Sequence, residues 1–123
     1  MISSFKDLLV WQEAMNLVVM IYQITSHFPR YEIFALTSQM NRAATSIPAN
    51  ISEGNGRYST NDYLRFLSIA NGSLRELETH LLIAERLNYV KRTQTEETFL
   101  KIEYVGKLLN GLRKSLENQS SSD

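Results

Sequence analysis

Four side chains in one stretch of this sequence, Arg42, Ser46, Asn50 and Glu53, with Gln39 ahead of them, are of the types that do chemistry. They could supply a guanidinium for an anion, a hydroxyl, an amide and a carboxylate. At about 100° of rotation per residue they fall on one stripe of a helix. A nucleophile needs a base to activate it and a further group to orient that base, and no such set stands beside Ser46. The stripe predicts instead a hydrogen-bond network or a subunit contact that fixes helix register, because partly covered Arg, Asn and Glu need partners. Glu76 and His80, one turn apart, resemble half of a carboxylate–histidine metal site. A bundle site needs further inward carboxylates and Glu-x-x-His spacing, so neither a metal nor any other cofactor is expected. The chain contains no cysteine, which excludes disulfides, thiolate zinc sites and cysteine nucleophiles. No enzyme is expected, and no small-molecule substrate is implied.

The remaining chemistry is that of cations. Arg30, Arg86, Lys91 and Arg92 collect at one end of the expected fold, and Lys6, Arg57, Arg113 and Lys114 at the other. Tyr58 beside Arg57 could stack on a base or pack as a staple. Thirteen basic and thirteen acidic residues cancel, so any attraction to RNA or DNA must come from such local clusters. In a cyclic oligomer each cluster becomes a ring and its field is multiplied.

The elements that must position these groups are helices. Asp7 is a plausible N-cap for a helix over 8–27, in which Trp11, Ala14, Met15, Val18, Ile21, Tyr22 and Thr25 recur at helical spacing and which Pro29 ends. The second helix, over 33–53, buries Leu36, Met40, Ala44, Ile47 and Ile51. Pro48 is expected to bend it without breaking it, and Gly54, Asn55 and Gly56 to end it through left-handed conformations. Ser59 and Asp62 form a capping box for a third helix over 60–88, whose buried face is Tyr63, Phe66, Leu67, Ala70, Leu74, Leu77, Leu81 and Ala84. Gly72 is expected to permit close approach to the second helix. Thr93 and Glu96 suggest another box, opening a fourth helix over 95–116 with a seam of Thr98, Ile102, Val105, Leu109, Leu112 and Leu116. Four amphipathic helices on short connections predict an all-α, up-down-up-down antiparallel four-helix bundle. It forms one domain over 1–118, with a frayed tail over 119–123.

At 123 residues such a domain buries roughly two-thirds of its unfolded surface and needs no staples. No basic start, unbroken apolar block or cleavage site marks a signal peptide, and no window reaches the roughly 18 apolar residues of a membrane span. A cytoplasmic protein with no membrane association is expected. Leu17, Met20 and Ile24 on the first helix, with Phe99, Leu100 and Tyr104 on the fourth, lie off the main seams. They are expected to join into an exposed patch that a homo-oligomer covers.

Three stretches together, FKDLLVWQEA, YQITSHFPRYEIFALTSQMNRAATSIPANISEGNGR and YLRFLSIANGSLRELETHLLIAERLNYV, resemble the bacterial four-helix-bundle proteins of the 23S rRNA intervening-sequence family. The likeness runs to about Val90. It is carried by Gln39, Arg42, Ala43, Ser46, Ile47, Asn50, Ile51, Glu53, Gly54 and Arg57, and later by Ala70, Gly72, Ser73, Glu76, Leu77 and Glu78. The resemblance implies a homopentamer without enzyme activity. A related group, the accessory proteins of diversity-generating retroelements, is a pentameric bundle that binds nucleic acid and a reverse transcriptase through a basic surface; this chain departs from it in being neutral. The sequence thus points to a non-enzymatic oligomeric binding module for nucleic acid or a nucleic-acid-handling protein. The alternative is a structural or protein–protein interaction module with no nucleic-acid role.

Overall fold

A computed structural model describes residues 4–122 of the chain, and side chains over residues 4–119. Four helices, α1 (Leu9–Thr25), α2 (Leu36–Asn55), α3 (Thr60–Arg86) and α4 (Arg92–Ser122), form the bundle, and no strand occurs among the described residues. α1 packs on α2 and α4, and α3 packs on the same two, so the helices stand at the corners of a square. The most extensive interface is between α2 and α3. No described helix is long and apolar enough to cross a membrane.

The seams of the last three helices follow the sequence. Met40, Ala44, Ile47 and Ile51 of α2 meet Leu67, Ala70, Leu74, Leu77, Leu81 and Ala84 of α3 in one buried core with Ile102, Val105 and Leu109 of α4. Each large apolar side chain so buried contributes about 1.5–3 kcal/mol. Pro48 is itself buried, and α2 continues past it to Asn55. In α1 the core face is Val10, Ala14, Leu17, Ile21 and Ile24, whereas Met15 and Tyr22 are exposed. Leu17 and Ile24 therefore cannot belong to an exposed oligomer patch. α1 carries two apolar stripes about 100° apart, and the inner one is the stripe that continues to Phe28 in alternating steps of four and three.

Local signals redistribute as well. Asp7 ends a short 3-10 turn, Phe5–Asp7, that Ser4 caps by accepting from the Lys6 N–H; α1 begins after Leu8 without a side-chain cap. Ser59 accepts from the Asp62 N–H at 3.3 Å as expected. At the start of α4 it is Gln94 that reaches back, accepting from the Lys91 N–H at 2.8 Å, which places the helix start ahead of Thr93. α4 then runs on to Ser122, into the segment expected to fray. None of Gly54, Asn55 and Gly56 has a positive φ; the left-handed residue among those described is Asn88, φ 62°. It closes α3 in a Schellman turn, with the Tyr89 N–H donating to the Ala84 carbonyl at 3.0 Å. Gly72 is exposed with open space where a Cβ would stand, and the close helix approach occurs at buried Gly54.

Candidate functional site

The α1–α2 and α3–α4 connections lie at the same end of the bundle, and Tyr89 ties them together. Its hydroxyl donates to Glu32 Oε2 at 2.6 Å and lies 3.2 Å from the Tyr31 hydroxyl. Its ring packs 5.5 Å from Phe28. The other Glu32 oxygen accepts from the Leu36 N–H at 3.3 Å, which puts a carboxylate at the N-terminus of α2, where the helix dipole favours it. Because the phenol donates to a carboxylate first and meets a second phenol beside it, its pKa is pushed above the ordinary 10.0. The folded state holds this proton more tightly than the unfolded chain does. The stabilisation is accordingly complete below pH 10 and lost as pH climbs past it. Melting temperature should thus fall more steeply above pH 10 in the wild type than in Tyr89→Phe, which is less stable at neutral pH but lacks the titration. Parallel slopes would contradict this.

The expected cations divide at this tied end. Arg92 is committed internally: its Nε and Nη2 donate to Glu85 at 2.7 and 2.8 Å, and its guanidinium lies 4.4 Å over the Phe99 ring. Arg30, Arg86 and Lys91 are exposed and have no acidic side-chain partner among the described residues. At the same end the 3-10 turn Arg30–Glu32 and the turn that follows it, ahead of α2, expose Tyr31 by 76% and Phe34 by 96%. Neither aromatic was singled out from the sequence. The signal was there in the run Arg30–Phe34, where three apolar or aromatic side chains stand in a connection too short to bury them.

Arg57 lies at the opposite end, on the α2–α3 connection. Its guanidinium and that of Arg65 sit 4.8 and 4.7 Å over the Phe66 ring, and neighbouring Tyr58 is fully exposed and so does not act as a staple. Arg113, also assigned to this end, has a buried Nε with no hydrogen-bond partner.

The polar stripe of α2 divides too. Ser46 and Asn50 are half-buried and form a network across the α2–α3 interface: the Asn50 amide donates to the Ser46 carbonyl at 2.8 Å and to Ser46 Oγ at 2.9 Å, and Ser46 Oγ lies 2.8 Å from Ser73 Oγ. These bonds give two of the five stripe residues hydrogen-bond partners, one of them on the facing helix. Gln39, Arg42 and Glu53 are exposed, and no hydrogen bond or ion pair engages their side chains among the described residues. They are not part of an internal network. On the same flank of α3, His80 Nε2 lies 3.9 Å from Glu76, and its buried Nδ1 has no partner. Among the described residues no third His, Cys, Asp or Glu joins this pair.

Of the expected oligomer patch, Met20, Leu100 and Tyr104 do come together. With Asn16, Glu97 and Lys101 they line a groove of about 600 Å³ between α1 and α4, beside the ion pair from Lys101 to Glu13. Phe99 turns to the other side of α4, against Arg92 and the α3–α4 groove.

A crystal structure of a protein with unknown function from the S23 ribosomal protein family of Bacteroides thetaiotaomicron VPI-5482 is similar, with a TM-score of 0.77 at 28% identity. The likeness covers 86% of this chain and 99% of that one. No curated protein matches the chain. Residues 6–111 match the 23S rRNA-intervening sequence protein family, past Val90 and through most of the α4 seam. The matched span takes in Arg30, Arg86, Lys91 and Arg92 of the tied end, Lys6 and Arg57 of the other, the α2 stripe and the core of all four helices, and the chain belongs to the 23S rRNA-intervening sequence protein family.

Proposed function

We propose that this protein is a non-enzymatic, homo-oligomeric module that binds single-stranded nucleic acid at the tied end of the bundle. The observation that carries the reading is the set Arg30, Arg86 and Lys91, unpaired with acidic side chains and set beside exposed Tyr31 and Phe34. Cations that track a phosphate backbone and aromatic faces on which bases stack are the two ingredients of single-strand binding. In a chain of zero net charge the field of one such cluster is modest. A cyclic oligomer repeats it once per subunit around one axis, which turns three charges into a ring. The resemblance to pentameric bundles, the accessory proteins of diversity-generating retroelements among them, supports five copies.

Binding of a labelled single-stranded RNA, followed by fluorescence anisotropy across a salt series, tests this. Each phosphate contact contributes about −0.7 to the slope of log K against log salt for single strands. The variant Arg30→Ala/Arg86→Ala/Lys91→Ala should weaken binding and flatten the slope by about 2 per occupied protomer. Absence of binding at low ionic strength, or an unchanged slope in the triple variant, would leave the structural or protein-interaction reading in its place.

A further inference from the structure

Two opposite sides of the bundle carry charges that the single chain leaves unanswered. Between α1 and α4, cavities of about 290 and 600 Å³ share Met20 and Glu97 and so adjoin in one groove along the seam. Glu97 is the one carboxylate among the lining residues; it is exposed and has no hydrogen-bond or ion-pair partner among the described residues. The lysine of the groove, Lys101, is committed to Glu13. On α2, helical spacing puts Arg42 and Glu53 on the stripe of Ser46, and the 2.8 Å contact of Ser46 Oγ with Ser73 Oγ sets that stripe along the α3 side. Both are exposed and without partners among the described residues; Glu76 of the facing helix lies 3.9 Å from His80 and forms no ion pair with Arg42. The heights of these charges match. α2 and α4 both leave the tied end and run the same way. Arg42 is six residues beyond Leu36 and Glu97 five beyond Arg92, which places them about 9 and 8 Å along their helices. Glu53, seventeen residues beyond Leu36, stands about 25 Å along, toward the opposite end.

We infer that Glu97 of one copy pairs with Arg42 of the next, the α1–α4 groove of the first seated on the α2–α3 edge of the second, with all tied ends pointing the same way. Side by side in that orientation, the two residues come to the same height. Turned end for end, the second copy would bring Glu53 toward Glu97 instead. The charge pattern of the stripe thus favours one orientation and penalises the other through a like-charge contact. Glu97 shares its groove with exposed Leu100 and Tyr104, and a second copy that covers them also removes water and salt from around the pair, where charges are screened least. Copies joined in this way are related by rotation alone, so Arg30, Arg86 and Lys91 of successive copies gather on one face of the assembly and do not alternate between two. The inference rests on the homo-oligomeric reading above and deepens it, because it names the contact and its polarity.

Charge reversal tests this, with mass read by light scattering after size exclusion across a concentration series. Arg42→Glu and Glu97→Arg should each weaken association by at least about thirtyfold, the loss that follows when one member of a covered charge pair is removed. Arg42→Glu/Glu97→Arg restores the pair with its signs exchanged and should recover the wild-type mass. Both positions are exposed, so helical circular dichroism should be the same in all four proteins. A Glu97→Arg protein that assembles as the wild type does would overturn the inference, since end-for-end docking would give that arginine Glu53 as its partner. So would a double variant no better assembled than the single ones. In either case a wild type heavier than one chain leaves the homo-oligomer standing on other contacts. A wild type that is a monomer removes the homo-oligomer and the pair together.

Discussion

Gly54→Leu should be the most damaging single substitution in the α2–α3 hairpin, with a loss of well over 1 kcal/mol and a melting temperature lower by many degrees. A Cβ at position 54 would stand 2.9 Å from Phe66 Cβ, 2.9 Å from Tyr63 Cδ1 and 3.3 Å from the Tyr63 carbonyl oxygen. Two of these three neighbours cannot swing aside, since one is a backbone oxygen and the other a Cβ fixed to its own helix. Alanine there gains about 1 kcal/mol of helix propensity but meets an overpacking cost of about 1–3 kcal/mol, so it too should destabilise. Leucine adds three more carbons to the same contact. The damage should spread to the adjoining end of the bundle, because Asn55 Nδ2 donates to the Tyr63 hydroxyl at 3.2 Å and Phe66 holds the Arg57 and Arg65 guanidinium groups. Gly72→Ala is the control. It lies in mid-helix with nothing within 4 Å of its added Cβ, so it should raise stability by up to about 1 kcal/mol. Thermal unfolding of the three proteins decides the matter; a Gly54→Leu protein that melts with the wild type would refute the packing argument.

The two glycines show what periodicity conveys and what it does not. Helix number, order and seams were legible because α2, α3 and α4 each carry one dominant apolar stripe, and the stripes of Met40–Ile51, Phe66–Ala84 and Thr98–Leu109 are the buried ones. In α1 two stripes compete, and only the position of α4 decides that Leu17 and Ile24 go inside while Met15 and Tyr22 stay out. A glycine in a helical pattern announces a missing Cβ but not the neighbour that requires it. Gly72 sits in the middle of its helix and faces solvent, whereas Gly54 sits near a helix end and takes the contact. Charges are similarly silent about distance in space. Arg92 read as a free cation until the Schellman turn at Asn88 brought Glu85 back to meet it. The Ser46–Asn50 pair was legible since its partners are one turn apart or on the facing helix, but the tie of Tyr89 to Glu32 and Tyr31 joins two connections and has no periodic signature.

Assembly carries the second large effect. The bundle leaves opposite sides unsatisfied: Leu100, 61% exposed, and Tyr104, 42% exposed, border the α1–α4 groove with half-buried Met20. Across the molecule α3 exposes Ile69 and Ile83, and α2 exposes Arg42 and Glu53, which lack partners among the described residues. Two different surfaces of this kind, one mainly apolar and one mixed, are what a heterologous cyclic contact needs. Isolated exposed apolar residues are ordinary, but a contiguous patch on a small domain calls for a cover. Size exclusion with light scattering should give a mass near five times that of the 14.2 kDa chain. Leu100→Glu/Tyr104→Glu should bring the mass down to that of one chain, with helical circular dichroism retained, because neither side chain supports the single bundle. Leu17→Glu should behave differently and cost the fold itself, since a fully buried carboxylate there has no partner. The contrast separates interface from core in a way that a loss of mass alone does not. A monodisperse monomer at micromolar concentration would overturn the assembly, and with it the ring of Arg30, Arg86 and Lys91 on which strand binding depends; a monomer that still bound RNA with an undiminished salt slope would show that one bundle end suffices.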